Sequence, residues 1–285
     1  MTLPHYRCPV CDRPDLRKVL SRKQYQLFQC RHCRIIFIPE QYYRDYNLRS
    51  QYTNDATSSS KYYSKTEEVD SCHFSFIFNQ VEKFVSPGRL LDVGCSVGHA
   101  LTVARSRGWE IMGIEPNPVS ADIAREKGFA VYNDFFDDCS QIFLPASFDA
   151  ILLGDVLEHV ANPVAMLKQA YNLISPKGVV VIITINMENF LCRRYQIKPQ
   201  EHLVYFTPQS LGYCLEKAGF EVKFCAPYAR ERNLTQVADN SSTSLGRFEK
   251  ILTNTFNICP PLNFIARKIL KMIGKDELLA IGLKV

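Results

Sequence analysis

The chain contains no hydrophobic run long enough to cross a membrane. Its strongly apolar segment at 179–185 holds only seven residues, whereas a spanning helix needs about 18 or more. The first residues also lack the apolar core of a secretory signal, because Arg7, Asp12 and Arg13 interrupt them. From these two absences we expect a protein without a transmembrane segment that works in the cytoplasm.

A chain without a secretory signal is not expected to form disulfides. Cysteine is nevertheless abundant, with 11 residues among 285. Two Cys-x-x-Cys pairs stand 18 residues apart: Cys8 with Cys11, and Cys30 with Cys33. This spacing is typical of a tetrahedral zinc site with four thiolate ligands. We therefore predict a zinc ribbon over residues 1–40, in which the zinc is structural because no coordination position is left for a substrate.

Long runs of one charge are also missing, since no stretch of Lys and Arg exceeds two residues. The net charge of +5 is nevertheless unevenly spread. Residues 1–50 contain ten Lys and Arg and four Asp and Glu, a balance of +6, so the remaining residues sum to −1. The basic surface therefore belongs to the predicted ribbon. A solvated surface and an anionic partner, such as a phosphate, a nucleotide or RNA, both explain it.

Tyrosine is concentrated in the segment that follows the ribbon. Six of the 14 tyrosines lie between residues 42 and 63, in an otherwise polar stretch. We interpret residues 41–70 as a linker with two open roles. Its tyrosines either pack the ribbon against the main domain or form a lid over a substrate cleft.

Residues 90–98, LLDVGCSVG, predict a strand, a glycine-rich turn with Gly94 and Gly98, and then a helix. Glycine lets the backbone approach a ligand closely, and a helix N-terminus offers unpaired N–H groups. Glu115 ends the next apolar run, 23 residues after Asp92. An acid about 20 residues beyond such a turn typically binds ribose hydroxyls. The pattern therefore predicts a nucleotide-type cofactor site.

Strands and helices are predicted to alternate through the rest of the chain. The predicted strands lie near 89–93, 109–115, 129–133, 148–153, 177–185, 220–225 and 278–283. The predicted helices lie near 71–85, 100–107, 119–127, 162–173 and 208–218. This order predicts an α/β fold with a doubly wound sheet, parallel at least through its first strands.

Residues 226–276 separate the last two predicted strands, and we expect a helical insertion there. Residues 262–273 have apolar side chains at helical spacing together with Arg267, Lys268 and Lys271. A helix packed on the sheet is the simplest interpretation. Peripheral contact with a membrane surface is the alternative.

A third motif, FDAILLGDVLEHV at residues 148–160, completes a resemblance to a known family. Together with LLDVGCSVG and Glu115, it makes residues 71–225 similar to class I S-adenosylmethionine-dependent methyltransferases. The resemblance implies a Rossmann-like domain over residues 71–285, with a seven-stranded sheet whose last strand is antiparallel. It also implies S-adenosylmethionine as the cofactor. Residues 202–220 are similar to a subgroup often associated with small-molecule and glycan biosynthesis.

The resemblance further assigns a cofactor pocket, residue by residue. Its members are Asp92, Gly94, Ser96, Gly98, Glu115, Asp134, Phe135, Leu153, Gly154 and Asp155. The first four surround the methionine part, Glu115 binds the ribose, and Asp134 and Phe135 lie where the family contacts adenine. The last three end the fourth strand beside the cofactor. Ser96 replaces a glycine that is commoner in the family, and it can donate a hydroxyl.

Methyl transfer to a hydroxyl needs a group that takes or orients the acceptor proton. His202 and His159 are predicted to lie at the carboxyl edge of the sheet, where a doubly wound fold binds its cofactor. Imidazole titrates near neutral pH, so either histidine can accept a proton there. His202, with Tyr205 beside it, is the leading candidate, and His159 is the second. A purely structural role is the alternative for each.

The sequence therefore predicts a methyltransferase for a small-molecule, glycan or nucleotide-sugar acceptor, with transfer to oxygen. One alternative is an RNA base methyltransferase whose basic ribbon binds RNA. The residues after the fourth strand argue against it, because GDVL stands where an Asn-Pro-Pro-Tyr type of motif would be. The other alternative is a non-catalytic binding protein, against which the intact Glu115 and the two glycines argue.

Overall fold

The computed structural model describes residues 6–22, 24–44, 49, 67–230 and 275–285. These residues form two sheets, one with seven strands and one with four. In chain order the strands are β1 (Leu16–Arg22), β2 (Tyr25–Cys30), β3 (Ile36–Phe37), β4 (Arg89–Val93), β5 (Glu110–Ile114), β6 (Val131–Tyr132), β7 (Phe148–Gly154), β8 (Ile174–Ile185), β9 (Val204–Tyr205), β10 (Glu221–Tyr228) and β11 (Glu277–Leu283).

The larger sheet has the strand order β10-β11-β8-β7-β4-β5-β6. Strands β4 to β8 pair in parallel, and β11 is antiparallel to both of its neighbours. The α/β class, the seven strands and the antiparallel last strand are all confirmed. The predicted strand near 129–133 is shorter, with only Val131 and Tyr132 in β6.

The described helices are α1 (Glu67–Val81), α2 (His99–Ser106), α3 (Pro118–Glu126), α4 (Phe136–Cys139), α5 (Pro163–Leu173), α6 (Phe190–Tyr195) and α7 (Pro208–Ala218). Helices α3, α5 and α7 begin with the same local sequence pattern. An Asn or Thr side chain accepts an N–H of the first turn, and a proline occupies the first helical position. In the part of the chain that the structure describes, no helix has the length and apolar character to span a bilayer.

Some predicted boundaries are wrong. Helix α1 begins at Glu67, four residues before the predicted 71, and ends at Val81 instead of 85. Strand β10 continues to Tyr228, so residues 226–228 belong to the sheet and not to the predicted insertion. Residues 231–274, which carry the rest of that predicted helical insertion, lie outside the described residues. So does most of the predicted linker at 41–70.

The central strand β8 shows why the sheet is buried on both faces. Its side chains alternate, with Val180 and Ile182 in one apolar cluster and Val179, Val181 and Ile183 in the other. The first cluster also contains residues of α5, α7 and the ribbon, and the second contains residues of α1 and α2. An almost uninterrupted apolar strand is what a parallel sheet covered on both faces requires.

The ribbon is joined to the main domain through a shared sheet. Strands β1, β2 and β3 form an antiparallel sheet that β9, a segment of the main domain, extends at the β3 edge. The Ile38 N–H donates to the Leu203 carbonyl at 2.9 Å. Lys217 on α7 donates to the Val10 carbonyl at 2.6 Å. The ribbon is therefore continuous with residues 203–205 by backbone hydrogen bonds.

Candidate functional site

The glycine turn after β4 adopts a backbone that requires glycine at two positions. Gly94 and Gly98 have φ angles of +76° and +83°. A Cβ on Gly94 would lie 2.7 Å from a Val156 methyl, and one on Gly98 would lie 2.8 Å from the Phe129 ring. Gly98 also precedes α2, so the turn leads directly into the helix N-terminus. The predicted strand, turn and helix are confirmed.

Ser96 lies in the same turn with a φ of +48°, in the left-handed region that glycine adopts at least cost. This conformation explains why glycine is the commoner residue at that position. The Ser96 N–H donates to Glu115 Oε2 at 2.8 Å, and the Asn117 N–H donates to Glu115 Oε1 at 2.8 Å. The backbone therefore fixes the buried Glu115 carboxylate at the end of β5.

Asp92 and Glu115 form a buried acidic pair at the carboxyl ends of β4 and β5. Burial and the nearby Glu115 carboxylate raise the pKa of Asp92 to about 8. Burial also raises the pKa of Glu115, although the two N–H donors act in the opposite direction. A positively charged ligand would relieve this repulsion. S-Adenosylmethionine carries a sulfonium and an ammonium group, so the donor set fits this cofactor.

The predicted adenine side lies beyond β6. Asp134 is exposed and accepts the Phe135 N–H at 2.8 Å, and Phe135 is half-buried just before α4. The Arg49 guanidinium lies 4.6 Å from the centroid of the Phe135 ring and also pairs with Asp138. No sequence pattern predicted the contact of Arg49 with Phe135, because the two residues are 86 positions apart.

The fourth strand of the sheet in chain order, β7, brings three more predicted residues to the same edge. Leu153 is buried, Gly154 is half-buried, and Asp155 follows with a φ of +53°. The Asp155 N–H donates to the Ile183 carbonyl of β8 at 2.9 Å. Loss of water and the carboxylates of Glu277 and Glu158 raise the pKa of Asp155 to about 7.

The three predicted acceptor-side residues lie together beyond β7 and β8. The ring centroids of His159 and His202 are 4.8 Å apart, and those of His202 and Tyr205 are 5.9 Å apart. The Leu203 N–H donates to the Glu158 carbonyl at 2.8 Å, which holds the His202 segment against the turn after β7. The structure thus places His159 and His202 side by side, although they are 43 residues apart in sequence.

Burial favours the neutral form of both histidines. Burial lowers the pKa of His159, and burial followed by the neighbouring His159 lowers the pKa of His202 well below its ordinary value. His159 Nδ1 lies 2.9 Å from the Glu201 carbonyl. Since a carbonyl only accepts, Nδ1 carries the proton and Nε2 carries the lone pair. A neutral imidazole can accept a proton or bind a metal ion.

A partly buried polar network next to this site was missed by sequence analysis. Arg230 donates to Asp70 at 2.7 Å and forms longer ion pairs with Glu277 at 3.5 Å and Asp155 at 3.7 Å. His99 donates to the other oxygen of Asp70 at 2.9 Å. The partners come from α1, α2, β11 and the segments after β7 and β10. No local motif joins such distant residues.

The four predicted zinc ligands converge in the ribbon, with all four sulfurs within 4.8 Å of one another. Cys8 Sγ lies 3.5 Å from Cys33 Sγ, and Cys11 Sγ lies 3.4 Å from Cys30 Sγ. These separations are too long for disulfides, and they suit four thiolates around one zinc at about 2.3 Å. The cluster is thus compatible with the predicted zinc ribbon.

The seven-stranded sheet with its antiparallel last strand defines the class I S-adenosylmethionine-dependent methyltransferase fold. A family model described as a methyltransferase domain matches residues 73–223, which is more than half of the chain. The chain therefore belongs to this methyltransferase family.

Two curated relatives are ubiquinone biosynthesis O-methyltransferases. The protein of Pseudomonas aeruginosa (strain LESB58) is 27% identical over 152 residues, which are 47% of this chain and 65% of the relative. The protein of Neisseria meningitidis serogroup C (strain 053442) is 29% identical over 180 residues, 60% of this chain and 71% of the relative. This chain thus spans only about two thirds of the length of these relatives. A solved S-adenosylmethionine-dependent methyltransferase of Archaeoglobus fulgidus, 18% identical, supports the fold with a TM-score of 0.56 over 78% of this chain and 99% of its own.

The pKa of Asp92 leads to a pH-dependent prediction. We expect S-adenosylmethionine to bind more weakly as the pH falls below about 8, because a protonated Asp92 no longer attracts the ligand's positive charge. The loss should reach up to about tenfold for each pH unit if the carboxylate is required. Calorimetric titrations from about pH 6 to about pH 9 measure it. Asp92→Asn is the control, since it removes the titration of Asp92 and retains those of Glu115 and the ligand. Parallel curves for the two proteins would contradict the prediction.

The shared sheet leads to a prediction for the ribbon. We expect Cys30→Ser to lose the zinc and to expose the amides of residues 202–207 to hydrogen exchange, because β9 loses its partner β3. Binding of S-adenosylhomocysteine should change little, since its pocket lies on β4, β5 and β7. Exchange mass spectrometry and calorimetry measure the two effects. Cys72→Ser, at an exposed cysteine, is the matched control. Unchanged exchange in the 202–207 peptide would rule out this coupling.

Proposed function

We propose that the chain is an S-adenosylmethionine-dependent methyltransferase that transfers a methyl group to an oxygen of a small-molecule or glycan acceptor, including nucleotide sugars. Its membership of the methyltransferase family and the names of its relatives support this proposal. One observation carries it. The acidic pair and the histidine pair lie at the carboxyl ends of the neighbouring strands β5, β4, β7 and β8, along one edge of the sheet.

The residues divide between cofactor and acceptor. When bound, the cofactor supplies an electrophilic methyl carbon on a positively charged sulfur. Asp92 and Glu115 hold the positively charged ligand and its ribose, and Phe135 packs on the adenine side. His202, with His159 and Tyr205 beside it, orients or deprotonates the acceptor hydroxyl. Correct alignment of the oxygen with the methyl carbon contributes most of the rate acceleration.

The ribbon completes the proposed organisation. We place a structural zinc on Cys8, Cys11, Cys30 and Cys33, in a ribbon of residues 1–40, ahead of a linker at 41–70 and a methyltransferase domain at 71–285. Tyr42 and Tyr43 pack against the apolar cluster that contains Tyr205 and Ile38, which favours packing over a lid for this part of the linker. The chain is proposed to act in the cytoplasm.

An RNA acceptor has no comparable support. Several basic side chains of the ribbon are exposed but pair with neighbouring acidic or polar side chains. Arg7 pairs with Asp12, Arg31 with Asp15, and Arg17 with Gln29. These contacts favour the interpretation of the ribbon charge as an ordinary solvated surface.

The acceptor role of His202 has a direct kinetic consequence. We expect His202→Gln to lower methyl transfer about 10²–10⁴-fold, as the loss of a proton-transfer or orienting group does. The dissociation constant of S-adenosylhomocysteine should stay unchanged. Single-turnover assays measure the rate, after a thermal-shift screen of ubiquinone precursors, nucleotide sugars and glycans has identified an acceptor. His32→Gln is the control, because His32 is exposed and lies in the ribbon. Near-normal turnover of His202→Gln would show that the residue has a structural role. Failure of the wild-type chain to bind the cofactor would favour a non-catalytic protein.

A further inference from the structure

Three potential metal ligands meet beside the acceptor histidines. Glu158, His159 and His202 each offer one ligand atom, and the three atoms lie within 4.8 Å of one another. Glu158 and His202 are buried, and His159 is half-buried. Ligand atoms on one zinc ion lie within about 4 Å of one another. Small side-chain rotations are therefore enough to bring the three onto a single cation.

Two of these side chains are already held by outer partners of the kind that metal ligands have. Glu158 Oε2 accepts a hydrogen bond from Thr184 Oγ1 at 2.9 Å. His159 Nδ1 donates to the Glu201 carbonyl, which fixes the tautomer whose lone pair is on Nε2. Metal-binding histidines typically donate their second ring N–H to a carbonyl or carboxylate in this way, and such partners orient the ligand.

The third side chain has an unmet hydrogen-bonding need. His202 is 4% exposed, and among the described residues its buried Nδ1 has no hydrogen-bond partner. A buried polar atom without a partner costs about 1–3 kcal/mol. Backbone hydrogen bonds do not explain why the His202 ring is buried here. The N–H groups of His202 and Leu203 fix the segment, and the ring takes no part in these bonds. A buried imidazole beside a carboxylate and a second imidazole is a donor set for a metal ion.

We propose that Glu158, His159 and His202 bind one divalent transition-metal cation, separate from the zinc of the ribbon. Two imidazoles and one carboxylate suit zinc, manganese or iron, and they leave coordination positions open. The ribbon site differs, because its four thiolates leave no coordination position open. The acceptor role of the cation rests on the proposed function: an acceptor hydroxyl or oxyanion would occupy an open position beside the methyl donor. His202 then orients the acceptor through the cation.

The surrounding charges favour a cation over a free histidine pair. Asp155 and Glu201 add carboxylates near the cluster, and Lys198 opposes them. Lys198 pairs with Glu201 at 3.3 Å, so part of its charge is already balanced. A divalent ion would therefore enter a region where acidic groups exceed basic ones.

Metal content and manganese binding of the full chain test this proposal. The zinc-loaded protein is dialysed against metal-free buffer, analysed for metals, and titrated with Mn²⁺, which competes poorly for thiolates. We expect two metal equivalents per chain at saturation, one on the ribbon and one on this cluster. Glu158→Gln and His202→Gln should each weaken the second equivalent by at least about tenfold. The half-buried His159→Gln provides a third variant, which perturbs the core least.

Two controls make the result decisive. Glu201→Gln is the matched control, because it removes a nearby exposed carboxylate by the same substitution and should keep both equivalents. Binding of S-adenosylhomocysteine shows that each variant is folded. One metal equivalent in the wild type, or equal Mn²⁺ affinity in Glu158→Gln, His159→Gln and Glu201→Gln, would overturn the proposal. Failure of the wild type to bind S-adenosylhomocysteine would instead overturn the proposed function, whatever the metal content.

Discussion

The pairing of β3 with β9 is the interaction on which the arrangement of the acceptor side depends. Strand β9 contains only Val204 and Tyr205, too few residues to be stable alone. It is held on one side by the ribbon, and the adjacent Leu203 N–H donates to the Glu158 carbonyl. The ribbon has too small a core to fold without a metal or a partner. The pairing of the ribbon with β9 therefore helps to fix where the His202 segment lies.

The second constraint is the burial of acidic groups at one edge of the sheet. Asp92 and Glu115 lie at the ends of β4 and β5, and Glu158 and Glu277 lie beside the ends of β7 and β8. A carboxyl whose pKa is raised on folding destabilises the folded chain as the pH rises from its unfolded value to its folded one. For Asp92 this window runs from the ordinary value of 3.8 to about 8. The protein therefore gives up stability at neutral pH to keep these carboxyl groups buried, which is common at functional sites.

The sequence identifies what is encoded locally. Gly94, Gly98 and Glu115 were recognisable because a turn conformation and a strand end each demand a residue type at a fixed spacing. The apolar runs predicted every strand of the large sheet, since burial on both faces leaves a continuous pattern. Arg49, Arg230 and the β3–β9 pairing were not predictable, because they join segments that only the tertiary fold brings together. Ser96 was predictable only in part. The sequence indicates that serine replaces a commoner glycine, and only the structure shows that its backbone is left-handed.

Arg230 joins carboxylates from three separate parts of the chain at the edge of the large sheet. One guanidinium faces Asp70, Glu277 and Asp155, and Tyr228 also donates to Glu277. A single cation among three carboxylates leaves a net negative charge, yet Arg230 fixes Asp70 and Glu277 by hydrogen bonds and attracts Asp155 at longer range. Because His99, at the start of α2, bonds the same Asp70, the network extends from the helix that follows the glycine turn to the segment after β7. The network thereby links the helix beside the predicted cofactor residues with the segment that leads to the predicted acceptor-side residues.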